Sequence, residues 1–140
     1  MAMTFNRILV PYDGSPCAER ALDMAIDMAE RTGAELIVAN IVPAPAYAVR
    51  AQLADQKFAK AIKNETLNNA TQKLKEQNIG FKAILEYGDP AEMIMRIADM
   101  EKVDLIYMGC RGLSAFTEIL LGSVSTKIIH LTKCPVTLVK

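Results

Sequence analysis

The chain has 140 residues, of which 51% are hydrophobic and 23% charged, a composition typical of one globular domain with its own core. Sixteen basic residues balance sixteen acidic ones, and the net charge of zero argues against nucleic acid or an anionic membrane as the partner. The single histidine rules out a multi-histidine metal site, and three separated cysteines indicate a reducing, cytoplasmic compartment. We recognise neither a signal peptide nor an apolar run of membrane-spanning length.

The first third of the chain predicts two buried strands joined by a helix. Residues 7–12 (RILVPY) form a short apolar run that is typical of a strand covered on both faces. Ser15 is a good N-cap and Pro16 a good first residue for the helix that follows. Apolar residues then recur at intervals of three and four up to Gly33, and residues 35–42 (ELIVANIV) predict the second strand.

The rest of the chain repeats this alternation after an alanine-rich connection with two prolines. The remaining predictions, in order, are a helix through 58–78, a strand over 81–87, a helix from Pro90 capped by Asp89, a strand over 103–108, a helix from about Ser123 to Leu131, and a strand over 136–140. Buried strands that alternate with helices predict an α/β fold, an open parallel five-stranded sheet covered by helices on both faces. Met93, Met95, Met100 and Met108 are interpreted as core residues that fill gaps.

Ligands of open parallel sheets bind beyond the carboxyl ends of the strands, where the strand order reverses. Three segments follow predicted strands and are therefore candidates for the site: 11–15 (PYDGS), 40–45 (NIVPAP) and 109–112 (GCRG). If the first and fourth strands are neighbours, these segments face a common crevice.

Residues 109–125 (GCRGLSAFTEILLGSVS) are typical of a phosphate-binding loop. Gly109 and Gly112 would allow backbone amides to face an anion without an intervening side chain. Gly122, Ser123 and Val124 stand at a predicted helix start, where free amides and the helix dipole favour phosphate, and the hydroxyls of Ser123 and Ser125 can add hydrogen bonds. The alternative is an ordinary glycine-rich turn with a serine N-cap. The spacing matches neither a Walker loop nor G-x-G-x-x-G.

The glycine pattern G-x2-G-x9-G-S, formed by Gly109, Gly112, Gly122 and Ser123, resembles the ATP-binding signature of the universal stress proteins. The segments RILVPYDGS, DLIYMGCRG and CPVTLVK are similar to that family as well, so the resemblance covers residues 1–140 as one domain. It implies a Rossmann-like sheet in the order 3-2-1-4-5 that binds an adenine nucleotide.

The resemblance also implies the ligand and its contacts: ATP, with Mg²⁺ or Mn²⁺ bound at the phosphates. Asp13 would face the ribose and the phosphate-bound metal, and the backbone of Ile41, matched to a position after strand two, would read adenine. The implied nucleotide-binding residues are Pro11, Tyr12, Asp13, Ile41, Met108, Gly109, Arg111, Gly112, Gly122, Ser123, Val124 and Ser125. Family members pair through their last strand, which implies a homodimer through residues 136–140.

Several residues have a second interpretation. Asp13 is interpreted as a ligand contact, with a cap of the turn before the first helix as the alternative. Arg111 is either a phosphate clamp or a solvent-facing side chain. Cys110 stands where the family often has serine or threonine. If only its amide contacts the ligand, little changes; if a hydroxyl contact is needed, phosphate affinity falls. Lys127 and His130 are interpreted as residues of a solvated helix face.

Three functions remain open on the sequence alone. The first is a cytoplasmic ATP-binding switch or sensor of the stress response. The second is a slow ATPase or a nucleotidyl or phosphoryl transferase, for which the chain offers Asp13 but no evident base. The third is a dimeric interaction module that binds no nucleotide and acts through the segment 43–60.

Overall fold

The structure, a computed structural model, describes residues 5–43, 56–110 and 122–140, and within 56–64 it describes the backbone alone. The strands are β1 (Arg7–Pro11), β2 (Glu35–Val42), β3 (Phe81–Tyr87), β4 (Leu105–Gly109) and β5 (Val136–Val139). The helices are α1 (Pro16–Thr32), α2 (Gln56–Glu76), α3 (Pro90–Met100) and α4 (Ser123–Leu131). The predicted alternation is confirmed; β1 and β5 end one residue earlier than predicted, and β4 begins two residues later.

The strands form one parallel sheet in the order β3-β2-β1-β4-β5, which confirms the predicted fold. β1 is central because its side chains are apolar on both faces, and Ile8, Leu9 and Val10 are fully buried. From β1 the chain moves outward to β2 and β3, and then returns to β4 on the other side of β1. The strand order therefore reverses between β1 and β4.

The helices cover the two faces of the sheet in pairs. α1 and α2 pack on the face that carries Val10 and Val38, whereas α3 and α4 pack on the face that carries Leu9 and Ile106. Each pair buries an apolar stripe, which is the expected source of most of the stability of amphipathic helices. Among the described residues, no helix combines the length and the apolar character that crossing a membrane requires.

One of the four methionines departs from its predicted place in the core. Met108 is buried, with 4% of its surface exposed, but Met100 is 73% exposed. Met100 is the last residue of α3 and comes two positions after the buried Ala98. Two positions correspond to about 200° around a helix, so Met100 faces away from the sheet. The core interpretation of Met100 was wrong.

Candidate functional site

The three candidate segments lie at the same end of the sheet, because β1, β2 and β4 are parallel neighbours. The turn from β1 leads into α1 on one face, and the junction after β4 leads into α4 on the other face. Helices that leave in opposite directions open a crevice between the carboxyl ends of their strands. This crevice is the candidate site.

The β1–α1 turn is closed by its own hydrogen bonds. The amide of Ser15 donates to Asp13 Oδ1 at 2.9 Å, and Ser15 Oγ accepts from the amide of Ala18 at 3.2 Å. Ser15 is the N-cap of α1 and is 2% exposed, and Pro16 occupies the first helical turn as predicted. The Ala18 amide in the first turn of α1 thus finds its partner inside the protein.

Asp13 caps the turn with one carboxylate oxygen and, among the described residues, leaves the other oxygen free for a ligand. Its Oδ1 caps the turn by accepting from Ser15. No residue in the described part of the chain donates to Oδ2, and the side chain is only half-buried. One carboxylate oxygen thus remains available at the crevice, two residues after Pro11, the last residue of β1.

Tyr12 directs its side chain away from the crevice and into the core. It is 3% exposed within the cluster beneath α1 and α2, and its hydroxyl is hydrogen-bonded to Glu19. Burial, together with the Glu19 carboxylate, raises the pKa of the Tyr12 phenol, which therefore stays a proton donor. Only the backbone of Tyr12 is left for contact with a ligand.

Ile41 lies inside β2, as its second-last residue, and not after the strand as its match to the family implied. The backbone groups of Glu35 and Ala39 point toward β1. The Glu35 amide donates to the carbonyl of Asn6, and the Ala39 carbonyl accepts from the amide of Tyr12. Because alternate residues of a strand point their backbone groups to the same side, Ile41 faces that side too. β1 pairs with β2 only as far as Ala39, so the backbone of Ile41 faces the open crevice.

Packing requires a glycine at position 109. A Cβ on Gly109 would lie 2.7 Å from Cys17 Cβ and 3.0 to 3.1 Å from the backbone of Cys17 and Ala18. The end of β4 therefore rests directly on the first turn of α1, as only glycine allows. Met108, just before it, points into the core on the other face and leaves only its backbone near the crevice. This packing accounts for the glycine, and the role of its amide toward an anion stays a prediction.

The β4–α4 junction is pinned at its base. Cys110 donates its amide to the carbonyl of Val139 at 2.9 Å and accepts from the amide of Gly122 at 2.7 Å. The hydroxyl of Ser125 donates to the carbonyl of Gly109 at 3.1 Å, so its proton is engaged inside the protein. These bonds bring the start of α4 against the end of β4. Arg111 and Gly112, predicted to contact phosphates, lie outside the described residues.

The N-terminus of α4 is open. Its N-cap is Gly122, which provides no side-chain cap, and the amide of Thr126 is the first to bond back to the Gly122 carbonyl. The amides of Ser123, Val124 and Ser125 have no acceptor among the described residues. Three such amides at the positive end of a helix favour an anion.

The residues of the crevice fit a nucleotide. They fit a metal ion only if the phosphates of that nucleotide supply some of its ligands. Within the described ranges no group of three or more histidine, cysteine or acidic residues is placed to hold a metal ion. Asp13 supplies one oxygen, and Mg²⁺ commonly combines one or two carboxylates with phosphates and water. Lys127 and His130 are exposed on α4, in agreement with a solvated face.

A second concavity, of about 560 Å³, lies at the opposite end of the sheet, where α3 and α4 end. It includes Cys134, whose thiol donates to the carbonyl of Val103 at 3.7 Å. Burial, aided by the Asp104 carboxylate, raises the pKa of the Cys134 thiol and so disfavours the reactive thiolate. This concavity is separate from the crevice.

Two residues that organise the crevice were not singled out from the sequence. Asn40 is 7% exposed, and its Nδ2 donates to the carbonyl of Tyr12 at 2.8 Å. Glu19 accepts from the Tyr12 hydroxyl. A polar residue inside the apolar run ELIVANIV was a signal for Asn40, because a buried amide side chain needs a partner. Glu19 has no such signal, since it resembles any acidic residue in a first helical turn.

Known proteins share this architecture along the whole chain. Residues 4–140 match the sequence model described as "Universal stress protein family". The universal stress protein YxiE of Bacillus subtilis is 34% identical over 147 aligned residues, with 97% of this chain and 99% of that protein covered. The solved structure of hypothetical protein MJ0577 superposes with a TM-score of 0.85 at 30% identity, covering 99% of this chain and 97% of the other. A universal stress protein solved in complex with cAMP has a TM-score of 0.76 at 26% identity, with 98% of each chain covered.

Proposed function

The chain belongs to the universal stress protein family, and we propose that it binds ATP in the crevice as a regulatory switch or sensor of the stress response. The observation that carries this proposal is the open N-terminus of α4, where the amides of Ser123, Val124 and Ser125 have no acceptor among the described residues. Further support is a relative of the same fold, 26% identical, that was solved with cAMP, an adenine nucleotide.

Each part of the crevice suits one part of the nucleotide. The α4 amides would receive the phosphates, because backbone donors and the helix dipole both favour negative charge. Asp13 Oδ2 would accept from a ribose hydroxyl, or hold Mg²⁺ or Mn²⁺ with the phosphates and water. The backbone of Ile41 offers a donor and an acceptor for the polar edge of adenine. When bound, the metal would neutralise part of the phosphate charge.

The switch would depend on the segment between Cys110 and Gly122. These two residues are hydrogen-bonded at 2.7 Å, so phosphates on the α4 amides would lie at the base of that segment. ATP would change the surface that the protein offers to partners if it binds one arrangement of the segment more tightly than another. The three cysteines are free thiols, which suits our proposal of a cytoplasmic location.

We also propose that β5 forms a homodimer. β5 is an edge strand, and it pairs only with β4 in the described sheet. Pro135 and Val139 turn their carbonyls to β4, so the alternate residues Val136 and Leu138 face outward with their backbone groups. A second copy related by a twofold axis would satisfy these groups. Sedimentation should then give twice the chain mass of 15.4 kDa, and a monomer would contradict the dimer.

The experiment that tests ATP binding removes one amide and leaves the helix intact. Ser123 is the first residue of α4, a position where proline is favoured, and Gly122 before it has φ −63° and ψ 159°, which proline accepts in its predecessor. Ser123→Pro deletes the amide, whereas the control Ser123→Ala deletes only the hydroxyl. Calorimetric titration with ATP and Mg²⁺ should show an affinity about tenfold or more lower for Ser123→Pro, the effect of one hydrogen bond to a charged group.

The two variants separate the α4 amides from the serine side chain. Ser123→Ala should bind ATP within a few-fold of the unaltered protein, and both variants should keep its thermal stability. Equal ATP affinity of Ser123→Pro and Ser123→Ala would contradict the phosphate role of the helix start. No binding of millimolar ATP to the unaltered protein would contradict the proposed function as a whole.

A further inference from the structure

We propose that Tyr12 is a positioning residue for the ribose: its phenol, held by Glu19, and its carbonyl, held by Asn40, fix the direction in which Asp13 faces the crevice. This inference rests on the proposed ATP binding. It assigns no ligand contact to the Tyr12 side chain, which is 3% exposed and lies in the core.

Tyr12 is held at three separate atoms. Its amide donates to the carbonyl of Ala39 at 2.8 Å, and its carbonyl accepts from Asn40 Nδ2 at 2.8 Å. Its hydroxyl donates to the Glu19 carboxylate. The first two bonds tie the residue to β2, and the third ties it to α1. With anchors on two elements, Tyr12 has little freedom to rotate or shift.

Asp13 depends on this anchoring because the chain beyond it is permissive. Gly14 follows with φ +82°, in the left-handed region that glycine enters without cost. The one hydrogen bond of Asp13 to a described residue runs to the Ser15 amide, inside the same turn. A bond within a turn can move with the turn. The direction of Asp13 is therefore set by the residue before it.

Glu19 is itself held in place from the next helix. Lys73 Nζ of α2 lies 3.1 Å from Glu19 Oε2 and 2.7 Å from Asp23 Oδ1. Burial lowers the pKa of Lys73, but the hydrogen bonds to Asp23 and Glu19 outweigh it and raise the pKa, so the amine stays charged. Lys73 thus orients the carboxylate that holds the Tyr12 phenol. Asp23 shares Lys73 but does not contact Tyr12.

The test measures the preference of the protein for ribose hydroxyls. We would compare binding of ATP with binding of 2′,3′-dideoxy-ATP, which keeps the base and the phosphates but lacks both hydroxyls. The unaltered protein should prefer ATP by about tenfold, the effect of one hydrogen bond to a carboxylate. In Tyr12→Phe and Glu19→Ala this preference should fall to about threefold or less, because Asp13 is no longer held. A loss of stability alone would weaken both nucleotides equally.

Two matched controls exclude a general effect on the core. Tyr107→Phe removes a hydroxyl from another buried tyrosine of the same cluster, which is 5% exposed and has no hydrogen bond to the turn. Asp23→Ala removes an acidic partner of Lys73, as Glu19→Ala does, but leaves the Tyr12 bond in place. Both controls should keep the full preference for ATP.

A ligand-free measurement gives a second readout. Hydrogen exchange of the Ser15 amide, which donates to Asp13, should be faster in Tyr12→Phe and Glu19→Ala than in the two controls. The positioning role of Tyr12 would be overturned by an unchanged preference for ATP in Tyr12→Phe, or by an equal loss of that preference in Asp23→Ala and Glu19→Ala. Neither result would contradict ATP binding itself. Absence of ATP binding by the unaltered protein would overturn the proposed function, and the inference with it.

Discussion

Helices α1 and α4 both begin at the crevice, but their first turns are completed in opposite ways. The start of α1 is closed by Ser15, whose side chain accepts from Ala18, and by Asp13, which accepts from Ser15. The start of α4 has Gly122 as its N-cap and no side-chain acceptor among the described residues. The chain uses caps elsewhere too, since Asp89 caps α3 by accepting from Glu92 at 3.0 Å. Among the described helix starts, that of α4 differs in having no side-chain cap, which is why we propose it as the phosphate site.

The two helix starts would bind different parts of a nucleotide. The closed turn before α1 holds a single carboxylate, which suits a hydroxyl or a cation but repels phosphate. The open turn of α4 presents donors without a counter-charge, which suits phosphate. A crevice with one acidic and one donor-rich wall would therefore suit a ligand that carries both hydroxyls and phosphates.

Gly109→Ala should cause the largest loss of stability, because Gly109 is where β4 touches α1. The added Cβ would meet the Cβ of Cys17 at 2.7 Å and backbone at 3.0 Å, so α1 and β4 must move apart. We expect the free energy of unfolding to fall by about 1–3 kcal/mol, as overpacking usually causes. Chemical denaturation measures the change. Gly80→Ala is the matched control, since its Cβ would meet nothing within 4 Å, and equal losses in both variants would contradict the packing role.

Ser15→Ala opens the closed helix start and should have the next largest effect. It removes the acceptor of the Ala18 amide at a position that is 2% exposed, where water cannot easily replace the oxygen. Loss of an N-cap costs about 1 kcal/mol, so the denaturation midpoint should drop by a corresponding amount. Ser123→Ala, on the open helix start, should lower the denaturation midpoint much less. Equal losses of stability in Ser15→Ala and Ser123→Ala would contradict the difference between α1 and α4.

Gly122→Asp closes the open helix start and should have the smallest effect on stability, with the opposite sign. A carboxylate at the N-cap can accept from the free amides, which stabilises the helix by a few tenths of a kcal/mol relative to glycine. The same contact occupies the donors and repels phosphate, so ATP affinity should fall steeply. Gly122→Asn supplies a neutral cap and separates occupation of the amides from repulsion. Unchanged ATP affinity in both variants would show that these amides are not used.

The elements could be predicted from the sequence because their signals are local. Apolar runs and periodic apolar residues predicted β2, β3 and α4 with the bounds that the structure has. The Ser15 and Asp89 caps, with the prolines after them, predicted the starts of α1 and α3. The order of the strands was not local information, and it came from the resemblance to a family. That resemblance was sufficient because its motifs span the whole chain.

The chemistry inside the crevice was only partly predictable. The sequence identifies Gly109, but it does not show that Cys17, far earlier in the chain, packs against it. Nor does it show that the Ser125 hydroxyl donates to a carbonyl of β4, or that the Tyr12 side chain turns into the core. These contacts join residues that are distant in sequence, so periodicity and spacing carry no information about them.

The central claim is that phosphate binds at the open start of α4, and an NMR titration tests it most directly. Isotope-labelled protein would be titrated with ATP and Mg²⁺ while the backbone amide resonances are followed. We predict that the largest shifts occur at Ser123, Val124 and Ser125, and that the amide of Ala18, already bonded to Ser15, moves little. Shifts that leave the α4 amides unchanged, or no shifts at millimolar ATP, would contradict the claim.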